Sequence, residues 1–467
     1  MKQTKVLFVY PNRETILRIP MAVSILCASI KNAGHDVSVF DTTFLGKKFK
    51  TDIHYSEQKR TVKKSKIEDF IGELDNRSLQ EIVQSAINEY SPDLIAVSLL
   101  ERNYSQAMSV LKEIKKYSNA PVLVGGILPT ISPDFVINID EVDMICLGEG
   151  EGAIVDLCNA ISQNKDCIDI PNLWIKQNNK IYKNSLRQLI DIDQVPEQDW
   201  TPFDSRHLYR AYKGNVYNNG TFEFARGCLK VCSFCVAPQL RKAQSNIGHY
   251  HRFKSPERIV QEIENKCNAY DLNLIHFGDT DFLFGMEKQT LETFSMLYKK
   301  HIDLPFLIQT SAEAINDEKM RLLKNAGCDN ISVGVESGSE RIRKQIIHKY
   351  VPKKKIVDAF QIGRKYQIRM TANYMLGLPD ETEEDIMDSI KLNRELNPPA
   401  ISVFYFTPFL GTELYDLSLK KGYITGFKVD TNVHKESPLE MPHLPKEKID
   451  ELLEFFINDF ETYKDEY

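Results

Sequence analysis

The chain has 467 residues, 65 acidic against 59 basic, and a formal charge of -6 at pH 7. Hydrophobic residues make up 42% and charged residues 27%, enough apolar content for proper cores in about two to four domains. The acidic balance argues against general nucleic-acid binding. The apolar run in the N-terminal MKQTKVLFVY is too short for a signal-peptide core. No stretch approaches the roughly 20 apolar residues of a membrane-spanning helix. The expectation is therefore a cytoplasmic protein with no transmembrane segment and no disulfide framework.

The first third alternates strands and helices. Lys5-Val-Leu-Phe-Val9 is a compact apolar run of the kind buried in a parallel sheet. A helical pattern through Ala22, Leu26 and Ile30 follows, which Gly34 can terminate. Val37–Phe40, Leu94–Val97, Val122–Val124 and Met144–Cys146 supply four more strands. This alternation predicts a doubly wound α/β sheet, which binds ligands beyond the carboxyl ends of its strands. The Lys- and Glu-rich stretch from about Lys47 to Ser78 reads as a solvated helical insertion.

The strand ends carry the candidate ligand contacts. Ser98-Leu99-Leu100 follows the third strand, Gly125-Gly126 the fourth, and Gly148-Glu149-Gly150-Glu151 the fifth. Glycine there lets backbone approach a bulky ligand, although a single pair does no more than make a tight turn. From about Pro171 to Asn219 the pattern loosens. Trp174–Tyr182 reads as a hairpin with a polar turn, within a linker expected over 166–217.

The loop Cys228-Leu-Lys-Val-Cys232-Ser-Phe-Cys235 places three thiols within eight residues, after a short strand expected at 222–225. Thiolates this close repel one another unless a cation holds them, which points to a metal or a metal cluster. Two readings remain open on spacing alone. His249 or His251 can complete a Cys3His zinc site, or the three thiols can hold an iron–sulfur cluster with one iron left for another ligand. The remaining cysteines, Cys27, Cys146, Cys158, Cys167, Cys267 and Cys328, are dispersed and read as small buried hydrophobes.

Six further strands are expected, at 221–225, 274–277, 306–309, 330–335, 369–376 and 401–406. Helices fit between them. Ser255-Pro256 is an N-cap with proline at the first helical position, and Thr382-Glu-Glu-Asp385 a capping-box start. Six units are too few for a closed eight-stranded barrel, so a partial barrel is expected. After Gly411, Ile449, Leu452, Leu453, Phe456, Ile457 and Phe460 form an apolar helical stripe. Tyr405, Phe406 and Phe409 read as core in preference to a substrate lining. No Ser-His-Asp order, Walker loop or HExxH motif is present to support a hydrolase or NTPase, and no catalytic side chain is assigned.

Taken together, these motifs resemble those of radical S-adenosylmethionine (SAM) enzymes that carry a cobalamin-binding domain. The CxxxCxxC loop looks like the superfamily signature, and Phe234 stands where the family places an aromatic residue on the SAM adenine. Phe277-Gly-Asp279-Thr-Asp281-Phe282, Gly334-Val-Glu336-Ser337-Gly338-Ser339 and Met375-Leu-Gly377-Leu-Pro379-Asp-Glu381 resemble the family's motifs after the second, fourth and fifth barrel strands.

The resemblance implies that Cys228, Cys232 and Cys235 hold a [4Fe–4S] cluster. It further implies that Phe234, Asp279, Glu336, Ser337 and Gly377 contact SAM, and that Ser98, Leu100, Gly125, Gly126, Gly148 and Glu149 contact cobalamin. Tyr10-Pro-Asn-Arg-Glu14 replaces the Asp-x-His-x-x-Gly that supplies a lower histidine ligand to cobalt in some cobalamin domains. The implied fold is an N-terminal doubly wound Rossmann-like cobalamin-binding domain (1–165), the linker (166–217), a partial (β/α)6 radical SAM barrel (218–410) and a helical C-terminal segment (411–467).

The implied reaction is cleavage of SAM to a 5′-deoxyadenosyl radical and cobalamin-dependent methylation of a small-molecule or lipid substrate. Flavodoxin or ferredoxin would act as external electron donor. Oxidative cyclisation, ring contraction and lipid carbon–carbon coupling are alternatives with the same cofactors. A noncatalytic metal or cobalamin carrier is an alternative of another class. Methylthiolation of RNA fits less well, because the N-terminal half lacks that family's extra cysteine cluster.

Overall fold

The computed structural model describes residues 2–12, 17–46, 51–59, 62–427 and 433–463. The chain forms two compact units: residues 1–51, 68–207 and 239–250 in the first, and 52–67, 208–238 and 251–467 in the second. Among the described residues no helix is long and apolar enough to cross a membrane.

The first unit is built on strands β1 (Lys5–Tyr10), β2 (Asp36–Asp41), β3 (Leu94–Ser98), β4 (Val122–Gly125), β5 (Met144–Cys146), β6 (Leu173–Gln177) and β7 (Lys180–Lys183). They lie in the order β2-β1-β3-β4-β5-β6-β7. The first five are parallel, the doubly wound arrangement that the alternating apolar runs require. Val6, Val9, Leu94, Ile95, Val122 and Val124 have no exposure, as strands covered on both faces must. The helix Met21–Asn32 stops two residues before Gly34, whose φ is 84°.

Two expectations change here. The stretch 166–217 is not a linker: β6 pairs antiparallel with β5, and β7 with β6, so the hairpin covers an otherwise open sheet edge. The region from Lys47 to Ser78 is not simply a solvated insertion. Residues 47–50 and 60–61 lie outside the described residues. Tyr55 nevertheless stacks on His434 with centroids 5.8 Å apart, Lys59 lies over the Tyr405 ring, and Ile67 and Ile71 are buried. The compositional bias hid a segment whose aromatic and aliphatic residues are packed.

The second unit carries β8 (Tyr209–Tyr212), β9 (Asn215–Phe222), a short ribbon of β10 (Ala225–Arg226) and β11 (Arg252–Phe253), then β12 (Leu274–Phe277), β13 (Phe306–Thr310), β14 (Cys328–Glu336), β15 (Arg369–Leu376) and β16 (Ala400–Tyr405). Its sheet runs β16-β15-β14-β13-β12-β9-β8. Six strands are parallel and β8 is antiparallel at the edge, giving the curled half-barrel. The expected strand at 222–225 is broken: β9 ends at Phe222 and the chain restarts as β10.

Crossover helices return the chain between strands, and their caps are those legible in the sequence. Ser255 accepts from the Arg258 N–H with Pro256 at the first helical position. Thr382 and Asp385 form a reciprocal capping box on Glu383–Leu396. All six stripe residues of the C-terminal helix Lys446–Tyr463 are buried, Phe456 lying edge-on to Tyr374 at 5.0 Å. Tyr405 and Phe406 are likewise core, at 4% and 1% exposure.

Phe456→Ala is therefore expected to destabilise the protein by about 3–5 kcal/mol. Its exposed neighbour Phe455 should tolerate alanine within about 0.5 kcal/mol. Urea unfolding followed by far-ultraviolet circular dichroism checks the pair.

Candidate functional site

The cysteine loop lies directly beyond the break between β9 and β10. That break is held by Asp279, whose Oδ1 accepts the N–H groups of Phe224 (2.8 Å) and Ala225 (2.5 Å). The carboxyl is 3% exposed, and among the described residues its Oδ2 has no protein partner. Burial pushes its pKa up to about 7 against the lowering effect of these two bonds. Thr280 adds a second tie, its hydroxyl donating to the Gly227 carbonyl at 3.1 Å.

Within the loop, Cys228 and Cys232 are 9% exposed and Cys235 is part-buried. The Cys235 N–H donates to the Cys232 carbonyl at 3.1 Å, a tight turn that brings the last two thiols together with Phe234, half-buried, between them. Burial raises the Cys232 thiol to about 11 and the Cys235 thiol in the same direction, and each thiol also feels Cys228. A buried group of three mutually repelling thiolates needs positive charge, which a bound cluster supplies.

Three largely buried thiols on one loop are a donor set that fits an iron–sulfur cluster. His251 packs edge-on to Phe253 at 4.8 Å.

The later motifs sit where their strands end. Glu336 closes β14 with a φ of 68°, left-handed for a non-glycine residue, and pairs with Lys349 at 3.1 Å. Ser337 has no exposure; its hydroxyl faces that of Ser389 at 3.4 Å and accepts the Ser339 N–H at 3.2 Å. Both contacts tie the turn after β14 to its surroundings. Gly377, just after β15, donates its N–H to Glu381 at 2.7 Å. Glu381 also accepts from Leu378 at 3.2 Å, has no exposure, and is pushed by burial up to about 8.

Sequence reasoning missed Arg343 and Lys349. Arg343 has no exposure and donates to the Ser337 (2.7 Å) and Gly338 (2.8 Å) carbonyls. The signal available was a basic run, which ordinarily marks a solvated face.

In the first unit the proposed cobalamin contacts share the carboxyl ends of β3, β4 and β5. Asn103 joins the loops there, donating to the Pro11 and Ser98 carbonyls and accepting the Leu100 N–H. Gly126 has φ 115°, and a Cβ on it would stand 2.8 Å from the Leu99 carbonyl oxygen, so only glycine fits. Thr130 bridges the next two ends, donating to the Gly126 carbonyl and accepting the Gly148 N–H. Gly125 closes β4 beside Ser98.

The Glu149 carboxylate accepts the Ile190 N–H at 3.0 Å. The recess lined by Gly148, Glu149, Leu189, Gln244 and Ile247 has a cavity volume of about 10 Å³, far below the roughly 300–1,000 Å³ of small-molecule sites. Near the ends of these strands Ile127 and Phe135 are exposed, and Tyr104 packs on Phe135 at 5.7 Å. Arg13 and Glu14 of the loop after β1 lie outside the described residues. His35 sits at the opposite, amino end of β1, accepting the Thr4 N–H.

Three comparisons bear on this geometry. The model of the Radical SAM superfamily matches residues 222–392, and that of the B12 binding domain residues 63–158. An uncharacterized methyltransferase of Pyrococcus horikoshii is 23% identical, covering 97% of this chain and 91% of that protein. The anaerobic magnesium-protoporphyrin IX monomethyl ester cyclase of Rubrivivax gelatinosus is 23% identical over 74% of this chain and 62% of its own. Among solved structures, the radical SAM methyltransferase TsrM from Kitasatospora setae, with cobalamin and a [4Fe–4S] cluster bound, superposes with a TM-score of 0.66. It is 18% identical and covers 90% of this chain and 75% of that one. At that identity the likeness shows the fold.

The raised Glu381 carboxyl gives a pH test. Its folded pKa lies above the ordinary range, so its contribution to stability is complete below about pH 4.5 and is lost as pH rises toward 8. Glu381→Gln keeps an acceptor for both N–H groups and carries no titrating proton. The wild type should lose more thermal stability than the variant between pH 5 and pH 8.5, by an amount on the order of a few kcal/mol.

Proposed function

We propose that this chain, a radical SAM enzyme that carries a B12 binding domain, methylates an unactivated carbon of a small metabolite or natural-product intermediate. The observation that carries the reading is the three-thiol loop at the mouth of a six-strand parallel half-barrel, in a chain whose other unit has the 2-1-3-4-5 doubly wound order. The methyltransferase names of the Pyrococcus and Kitasatospora proteins support methyl transfer as the outcome.

When bound, a reduced [4Fe–4S] cluster supplies one electron to cleave SAM to methionine and a 5′-deoxyadenosyl radical, and cobalamin supplies methyl-transfer chemistry. The residues of the chain bind and orient. Cys228, Cys232 and Cys235 would ligate three irons and leave the fourth for the amino and carboxylate groups of SAM. Phe234 offers a half-buried aromatic face to the adenine, and the Gly377 turn, stapled by Glu381, would frame its other side. Asp279 has one oxygen committed to the β9–β10 break and one without a protein partner among the described residues, which leaves Oδ2 for a donor on SAM. Ser98, Leu100, Gly125, Gly126 and Gly148 would form the cobalamin surface, and Glu149 would brace it from behind. A flavodoxin or ferredoxin would deliver the electron.

The cyclase name of the Rubrivivax relative favours a second reading, in which the same radical ends in ring formation without methyl transfer.

Anaerobically purified protein should contain iron and sulfide in equal amounts. With SAM, a reductant and substrate it should form both S-adenosylhomocysteine and 5′-deoxyadenosine, and Cys235→Ala should abolish both. Zinc without sulfide would overturn the radical reading, while 5′-deoxyadenosine alone would assign the second.

A further inference from the structure

Glu336 and Lys349 form an ion pair with side chains only 14% and 9% exposed. Taking two charges out of water costs more than such a pair usually returns, so burial of this kind is weak evidence of a stabilising role. The chain goes to lengths to keep it. The Lys349 Nζ also donates to the Gly334 carbonyl at 2.5 Å. A Cβ on Gly334 would stand 2.2 Å from the Glu336 Oε1 and 2.8 Å from the Lys349 Nζ, so a side chain there would displace the pair. Glu336 and the residue before Lys349, His348 (φ 51°), both hold left-handed backbone. Strain of this sort gathers at functional sites.

The same turn supports the cysteine loop. The π-type turn Ile342–Ile346 leads into Lys349, and turns of this kind recur at functional sites. Ser233, between Cys232 and Phe234, donates its N–H to the Ile347 carbonyl (3.2 Å) and its hydroxyl to the Ile346 carbonyl (2.6 Å). Arg343 accepts the Lys349 N–H on its carbonyl at 2.7 Å, and its side chain grips the two residues after Glu336. One turn thus fixes the lysine, the glutamate and the loop together.

We propose that Lys349 is a positioning residue of the cluster site: its ammonium fixes the Glu336 carboxylate at the end of β14 and offsets that negative charge beside Cys232. The inference rests on the assignment of the three cysteines to a cluster. A cluster that gains an electron gains negative charge, so the two members of the pair must act on its reduction in opposite senses.

The test is an anaerobic redox titration of the reconstituted protein, monitored by electron paramagnetic resonance, with the spectral change on adding SAM followed separately. Lys349→Met should lower the midpoint potential and weaken the SAM-dependent change by about tenfold or more in SAM concentration. Glu336→Gln should raise the potential, the double variant should return toward wild type, and Lys349→Arg should retain wild-type behaviour. A structural role alone would not give opposed signs that cancel.

Unchanged potential and SAM response in Lys349→Met, or shifts of one sign in both single variants, would overturn the proposal. If Lys349→Met does not retain iron and sulfide, Glu336→Gln decides, and no upward shift there overturns it. A wild type that binds no iron and sulfide would instead remove the cluster assignment beneath it.

Discussion

Everything in the second unit turns on placing thiolates and carboxylates together at the dry end of a sheet. Cys228, Cys232, Asp279 and Glu381 are each less than a tenth exposed, and Glu336 and Cys235 are largely covered. Water, the usual solvent for negative charge, is replaced by fixed donors. Backbone N–H groups of Phe224 and Ala225 serve Asp279, those of Gly377 and Leu378 serve Glu381, and the Lys349 ammonium serves Glu336. The Cys235 sulfur accepts the Ala237 N–H at 3.4 Å, and three thiolates gathered on one loop call for positive charge as well.

The arrangement explains why the strand-end motifs contain more acids than any one cofactor needs. Asp279 and Glu381 spend an oxygen on each turn they hold, and that commitment keeps the backbone near the site in one conformation. Such preorganisation is what a protein contributes when the cofactors carry the hard chemistry. The first unit solves the same problem without charge. Asn103 and Thr130 knit three strand ends with neutral hydrogen bonds, leaving an apolar outer surface for a ligand that is itself broad.

The fold was legible because both units repeat one local pattern. Apolar runs at Lys5, Leu94 and Val122, and the caps at Ser255 and Thr382, are short-range signals that tertiary contacts did not override. The cysteine loop was legible for the same reason: its chemistry lies within eight residues. What sequence could not give was the direction of a side chain. Ser337 and Glu149 occupy motif positions, and each side chain is engaged by a partner 52 or 41 residues away. Arg343 and Lys349 sit in a run of basic residues that gives no sign of burial. The hairpin at Trp174 was read correctly as a hairpin, but its attachment to β5 depends on an edge that composition cannot reveal.

The two units interleave along the chain, and this bears on how the protein is made. Residues 52–67 belong with the second unit and residues 239–250 with the first. Synthesis runs from the N-terminus, and domains ordinarily fold as they emerge. Here the first unit lacks a piece until position 250 has left the ribosome. The segment around Tyr55 must wait for His434, almost the whole remaining length of the chain. Assembly is thus coupled across the molecule, and a break between the two halves would leave each without a segment that its own unit needs.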